Sequence, residues 1–247
     1  MFLPVGDTPN PEKTAWVTWV LLAVNIGVFL LIAVPLMGTA PDTGDPLYNT
    51  FLQVMRERGY DLAQLKGQVS AYDLLVFRYG YRPAAGSPLT LFTCLFLHAG
   101  WLHLIGNMLY LWIFGNNVEN RLGPLGYLAT YLAAGIAATL FFSLFAGGSQ
   151  VPMLGASGAI SGVLGCYLIW FPNNQVKVLL FLFPILIDVV LIPARVVLIL
   201  YLLVDNLLPF LMRGGAAAGV AHGAHIGGFL AGLAVALAIG RSRRDSA

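Results

Sequence analysis

Four histidines, a pair of serines and an asparagine are the residues of this chain best equipped to break a bond. The histidines fall in two places, His98 with His103 and His222 with His225. Asn107 follows His103 by four residues, so both lie on one face of a helix. Ser157 and Ser161 share a face by the same spacing, and His222 and His225, three apart, share another. Ser157 stands in the stretch "GASG", between Gly155, Ala156 and Gly158. A serine is a poor nucleophile until a neighbouring base takes its proton, and His225 could be that base. The tetrahedral oxyanion that follows needs donors. The backbone N–H of Ser157 at a helix start, with the side chains of His103 and Asn107, could supply them.

These groups can meet only if the elements that carry them pack side by side, and the composition says in what medium. The chain has 247 residues, 58% hydrophobic and 10% charged, against about 25% charged in soluble domains. Its mean hydropathy is +0.80. A net charge of +2 is too small to argue for a nucleic-acid partner. Two cysteines, Cys94 and Cys166, give neither a disulfide framework nor a CxxC metal site. The first apolar run is too long for the core of a signal peptide and reads as a true span.

Apolar stretches at 15–37, 101–118, 125–146, 155–171 and 216–240, with a crossing near 192–212, make six spans. The segment 176–190 is an apolar lead-in to the fifth, open to being a loop, a strand or part of a span, and the region 176–212 is broken by Pro184, Asp188, Pro193, Arg195 and Asp205. Basic residues prefer the cytoplasmic side. Arg241, Arg243, Arg244, Arg121, Lys177 and Lys13 then place both termini inside. The expectation is an all-α polytopic membrane protein with a cytoplasmic tail at 1–14, a six-span domain at 15–240, a long outer loop near 38–90 and a basic cytoplasmic tail at 241–247. Spans two, four and six run the same way, so His103, Ser157 and His225 should share one level toward the outer leaflet. Gly158 with Gly162, and Gly228 with Gly232, form G-x-x-x-G pairs that let helix backbones approach closely in lipid.

Taken singly, each residue has a plainer reading. Small-residue patches pack helices, Asn107 can bond between helices, and His225 can be a buried, hydrogen-bonded imidazole. His98 can cap the turn at Ala99 and Gly100, and Glu119 and Arg121 can anchor an interface. Asp205 either pairs with a polar neighbour or carries chemistry. Cys94 and Cys166 suit packing, and His222 either lines the groove or reaches water. A metal site is disfavoured: His98 and His103 are five apart, on different helix faces, and there is no H-E-x-x-H. A solute transporter would need charge through several spans, and this chain has little.

Together the motifs are more specific. "HAGWLHLIGNMLYLWIFGNNVE", "GASGAISGVLG" and "GAHIGGFLAGL" resemble the rhomboid family of intramembrane serine proteases, over roughly 90–240. The resemblance implies a six-transmembrane-helix rhomboid-like bundle with Ser157 as nucleophile, His225 as base, and His103 and Asn107 as the oxyanion-stabilising pair. His98 then supports the loop and site, and Gly155, Gly158 and Gly228 their packing. It implies hydrolysis of peptide bonds in or near transmembrane segments of other membrane proteins, with no cofactor and no metal, lipid as surroundings, and a water-accessible cavity toward the outer side. Lateral entry between spans two and five belongs to the same resemblance. Short basic flanks favour a bacterial plasma membrane. A relative that only binds client spans is the alternative, and such relatives usually lack the serine or histidine. The chain departs from the family in carrying Ser161 where many members have an aromatic ring against the base. It also has Leu89-Thr90 where some carry a Trp-Arg pair, and His222 at a position expected to be apolar or aromatic. Small residues around Ser157 suggest substrates with helix-weakening Gly or Pro near a small residue at the cut.

Overall fold

The computed structural model describes residues 2–182, 186–212 and 222–240. The chain is mostly helical. Among the described residues, four helices are long and apolar enough to cross a membrane: Trp16–Met37, Trp101–Ala146, Ala194–Met212 and His222–Ile239. A shorter apolar helix, Ser157–Trp170, packs among them.

The Trp101–Ala146 helix is two helices meeting at Gly123, whose φ of 73° no helix accommodates. Gly123 tolerates that angle for lack of a Cβ, and Pro124 next to it has no N–H to continue the ladder. Asn107 and Thr139 nevertheless line one cavity. On a straight helix they would stand about 48 Å apart, so the chain doubles back at Gly123. The sequence places a boundary between its second and third spans at this point.

An all-helical expectation needs one correction. The tail 1–14 and the apolar lead-in 176–190 together hold a three-stranded antiparallel sheet, ordered β1 (Phe2–Thr8), β2 (Gln175–Leu182), β3 (Leu186–Pro193). β1 pairs from Phe2 opposite Leu180 to Thr8 opposite Gln175, and β2 pairs from Gln175 opposite Pro193 to Leu182 opposite Leu186. The physical reason is a period of two. Val176 and Val178 are buried on either side of exposed Lys177, and β-branched residues suit a half-buried pleated surface. Asp7 of β1 is buried. Its carboxylate accepts from the Tyr167 hydroxyl at 2.5 Å and the Asn117 amide at 2.8 Å, tying the strand to two helices. Pro184 lies outside the described residues.

The segment 38–90 is more than a loop. Helix Pro46–Glu57 is capped by Asp45, and helix Ala71–Tyr79 opens on a capping box between Ser70 and Asp73. They enclose a small core of their own that includes Phe51, Leu52, Leu74 and Phe77. An ion pair joins Arg78 to Asp45. The unit is fastened to the loop ahead of Ser157 by a bridge between Tyr81 and Met153. The Tyr72 hydroxyl donates to the His98 carbonyl at 2.8 Å.

The first apolar helix begins without a side-chain cap of its own. Glu119, from the Trp101 helix, takes that place. Its carboxylate accepts from the N–H of Val17 at 2.9 Å, the N–H of Thr18 at 2.7 Å and the Thr18 hydroxyl at 2.8 Å. The donors left free at a helix start are thus satisfied across the bundle. Arg121 donates to the Gly240 carbonyl and lies over the Trp170 ring.

Candidate active site

Ser157 is the first residue of its helix, and the loop before it is shaped by one glycine. Gly155 has a φ of 120°, and its N–H donates to the Cys94 carbonyl at 2.8 Å. A Cβ on Gly155 would come within 2.7 Å of Cε1 and Nε2 of His103. The missing side chain therefore leaves a niche between the His103 ring and Ser157. The expected packing role of the other glycines is visible in the same terms. A Cβ on Gly228 would overlap the Gly158 carbonyl, and one on Gly232 the Gly162 carbonyl. The Ser157 and His225 helices touch backbone to backbone through these pairs, and so two short side chains can meet.

They do meet: Ser157 Oγ lies 2.7 Å from Nε2 of His225. The other ring nitrogen of His225, Nδ1, is 2.6 Å from Oδ1 of Asn206. Asn206 is buried, and its amide nitrogen donates to the Tyr201 carbonyl at 2.8 Å. Neither Asn206 nor Tyr201 stands out in the sequence. The one available signal is an Asn in an apolar span, where a polar side chain needs partners.

The position four after the serine also finds its explanation. Ser161 is buried, and its hydroxyl is 2.7 Å from the Tyr201 hydroxyl. The Tyr201 ring lies stacked toward His225, with centroids 6.4 Å apart and planes at 29°. An aromatic ring reaches the imidazole from the Ala194–Met212 helix, and Ser161 anchors that ring's far end.

His103 and Asn107 sit on the same cavity wall as Ser157 and His225. Nδ1 of His103 accepts from the Ala99 N–H at 3.3 Å, so the proton of a neutral ring is on Nε2, the atom facing the Gly155 niche. Asn107 donates from its amide to the His103 carbonyl at 2.8 Å. That bond holds the amide fixed against the cavity. His98 is fully buried, edge-on to His103 with centroids 5.2 Å apart. Burial, and then the neighbouring His103, push His98 down to about 3, which keeps it neutral. The cavity encloses about 500 Å³. Much of its lining is apolar, including Leu95, Ala138, Ile160 and Leu164.

The remaining candidates fall elsewhere. His222 stands edge-on to His225 with centroids 6.4 Å apart. Asp205 is exposed on the helix that carries Asn206. Cys94 and Cys166 are free, buried thiols. Among the described residues no three His, Cys, Asp or Glu side chains are grouped to hold a metal ion. The run Arg241, Arg243, Arg244 lies outside the described residues.

Comparison with known proteins agrees with the motifs. Over 94 residues, 36% of this chain and 27% of the relative, it is 40% identical to "Rhomboid protein 1, mitochondrial" of Saccharomyces cerevisiae. Over 157 residues, 64% of this chain and 27% of the relative, it is 34% identical to "Rhomboid protease GluP" of Bacillus subtilis. It is 31% identical to "RHOMBOID-like protein 5" of Arabidopsis thaliana over 147 residues, 58% of this chain and 41% of that one. The matched part spans between about a quarter and two fifths of these relatives' lengths. A model of the Rhomboid domain matches residues 85–242, which hold every residue lining the cavity. By that match, over well more than half of its length, this chain belongs to the rhomboid family.

Proposed function

We propose that this protein is an intramembrane serine endopeptidase that cuts peptide bonds in or near transmembrane segments of other membrane proteins. The observation that carries the reading is the 2.7 Å approach of Ser157 Oγ to His225 Nε2 beside a niche that only a glycine leaves open. In this reading Nε2 of His225 takes the hydroxyl proton as Oγ attacks the substrate carbonyl carbon. The carbonyl oxygen gains charge in the Gly155 niche. Donors within reach are the Ser157 N–H, which has no acceptor inside its own helix, Nε2–H of His103, and the Asn107 amide. Collapse of the tetrahedral adduct breaks the C–N bond, and His225 returns the proton to the departing amine. A water, deprotonated by His225 in the same way, then releases the acyl group. No cofactor enters these steps.

The membrane arrangement is part of the proposal. Counting the two arms of the Trp101–Ala146 helix separately and adding the Ser157 helix gives six crossings, with both termini on the cytoplasmic side and the site toward the outer leaflet. The basic residues at 241–244 and Arg121 and Lys177 support that orientation. Residues 15–240 then form one protease domain. The bacterial plasma membrane is the proposed location. Substrates with Gly or Pro near the cut are favoured, because a helical peptide bond is shielded until its helix opens.

The test uses purified protein in detergent, a model transmembrane substrate, and wild type beside Ser157→Ala and His225→Ala. Cleavage by wild type, unaffected by chelator and lost in both variants, is the expected result. Labelling of Ser157 by a serine-directed fluorophosphonate should be lost in Ser157→Ala. Cleavage that survives Ser157→Ala overturns the reading. Failure of wild type to cleave any substrate or to take the label points instead to a client-binding relative.

A further inference from the structure

We infer that Asn206 is a positioning residue for the reaction, one that selects the imidazole tautomer of His225 and thereby makes a two-residue site work as three. The inference rests on the proposed protease reading for its link to rate, and on geometry alone for its link to His225.

The argument starts from the helix. Residues Tyr201–Leu207 form a π-helical turn within the Ala194–Met212 helix. In an α-helix two residues five apart point about 140° away from each other. The wider π-turn, with its i to i+5 spacing, brings them onto one face. Tyr201 and Asn206 are five apart, and both reach His225, one by its ring and the other by its amide. An insertion of this kind re-aims side chains at functional sites.

The amide can sit only one way round. A carbonyl oxygen accepts and cannot donate, so the end of Asn206 that meets the Tyr201 carbonyl must be its NH2. The other end, Oδ1, then faces Nδ1 of His225 at 2.6 Å. An amide oxygen also only accepts, so Nδ1 must carry the proton. In a neutral imidazole this leaves Nε2 with its lone pair, directed at the Ser157 hydroxyl 2.7 Å away. The Tyr201 backbone thus fixes the amide, the amide fixes the tautomer, and the tautomer makes Nε2 a base. Without Asn206 the ring could present Nε2–H to the serine, and that form cannot take a proton. During the reaction the same oxygen faces the imidazolium that forms, the role filled by a carboxylate in serine triads. Being neutral, the amide does this without burying a charge in the membrane.

The experiment compares wild type with Asn206→Leu, a substitution of similar volume with no acceptor. Two readouts are used: kcat and KM on a transmembrane peptide, and ¹⁵N NMR of histidine-labelled protein at neutral pH, with His225 assigned by His225→Gln. The expected result is a kcat lower by about 100-fold or more, since an imidazole left in the wrong tautomer costs up to about 10⁴-fold in a serine triad, with KM within twofold. The His225 signals should move from a form protonated at Nδ1 to a mixture. Asn206→Asp keeps an acceptor at the same place and should retain the Nδ1–H signal and recover at least half of the logarithmic loss. Asn206→Ala, which also lacks the acceptor, replaces Asn206→Leu if that variant does not fold. A kcat within threefold of wild type, or an unchanged His225 spectrum in Asn206→Leu, overturns the inference. If wild type itself proves inactive, the protease reading fails, and the NMR signature still decides whether Asn206 sets the tautomer.

Discussion

Removing the Glu119 carboxylate should loosen the protein at the end of the bundle away from Ser157 and leave the chemistry of the site alone. Glu119 is 2% exposed and accepts three hydrogen bonds from Val17 and Thr18. Hydrogen bonds to a charged partner contribute about 1.5–3 kcal/mol each, and they do not add simply because one carboxylate serves all three. The carboxylate also opposes the positive end of the first helix, worth up to about 2 kcal/mol in a partly buried setting. Glu119→Ala leaves three donors facing apolar surroundings, for a loss of about 3–5 kcal/mol. At about 2–4 °C per kcal/mol for a chain of this length, the midpoint of thermal unfolding should fall by roughly 6–20 °C. Glu119→Gln keeps one acceptor oxygen for Thr18 but turns an NH2 toward the Val17 N–H, and should lose about half as much. The assay is built into the molecule. Cys94 and Cys166 are both free and buried, so a thiol-reactive dye reports unfolding in micelles. Glu119 lies twelve residues beyond Asn107, about 18 Å along the helix, so initial cleavage rates at 20 °C should stay within twofold of wild type. A midpoint shift under about 2 °C for Glu119→Ala, or a rate lost without any shift in midpoint, refutes the reasoning.

Two further outcomes follow from particular contacts. Gly155→Ala puts a methyl 2.7 Å from the His103 ring on backbone at a φ of 120°. It should lower kcat by about 100-fold, as loss of an oxyanion donor does, and the strained backbone should lower the thermal midpoint as well; a kcat within tenfold of wild type counts against the niche. Asp7 is raised by burial from 3.8 to about 6, against the lowering effect of the Tyr167 and Asn117 hydrogen bonds. The folded chain therefore holds a proton that the unfolded chain releases between pH 4 and 6. Stability from this group is present below that window and falls by about 3 kcal/mol as pH rises through it. Asp7→Asn should remove the dependence, so wild type should lose midpoint relative to the variant between pH 4 and 7 in a thermal series; parallel curves would count against it.

How much of this could be read from the residues alone depends on the range of the interaction concerned. The meeting of Ser157 and His225 was foreseeable because two G-x-x-x-G pairs and the direction of the spans already constrain which backbones can touch. The reversal at Gly123-Pro124 was foreseeable because those two residues have local conformational rules. The sheet was not. Strands β2 and β3 are nearly continuous apolar runs, and such a run does not distinguish strand from buried helix by periodicity alone. β1 has no meaning until its partner, more than 160 residues away, is in place. Asn206 is illegible for a related reason. Its role depends on a π-turn, and an α-helical wheel drawn through 192–212 would turn it away from Tyr201. Tyr201 likewise supplies the aromatic ring missing at position 161 from a helix that the motif does not include. The folded unit within 46–79 was hidden by its polarity, although Asp45-Pro46 and the Ser70 to Asp73 spacing are helix-start signals that could have been counted.

The pairing of β1 with β2 has a consequence for how the molecule is made. Thr8 lies opposite Gln175, so the first strand leaves the ribosome 167 residues before its partner. At 5–20 residues per second that is a wait of roughly 10 to 30 seconds. Throughout that interval Asp7 has neither Tyr167 nor Asn117 complete in its final setting, and the strand's backbone groups are open to water or to a chaperone. The sheet can close only once the helix bearing Ser157 has been synthesised and seated, since Tyr167 is on that helix. Docking of the Phe2–Thr8 strand therefore follows the seating of the Ser157–Trp170 helix rather than guiding it.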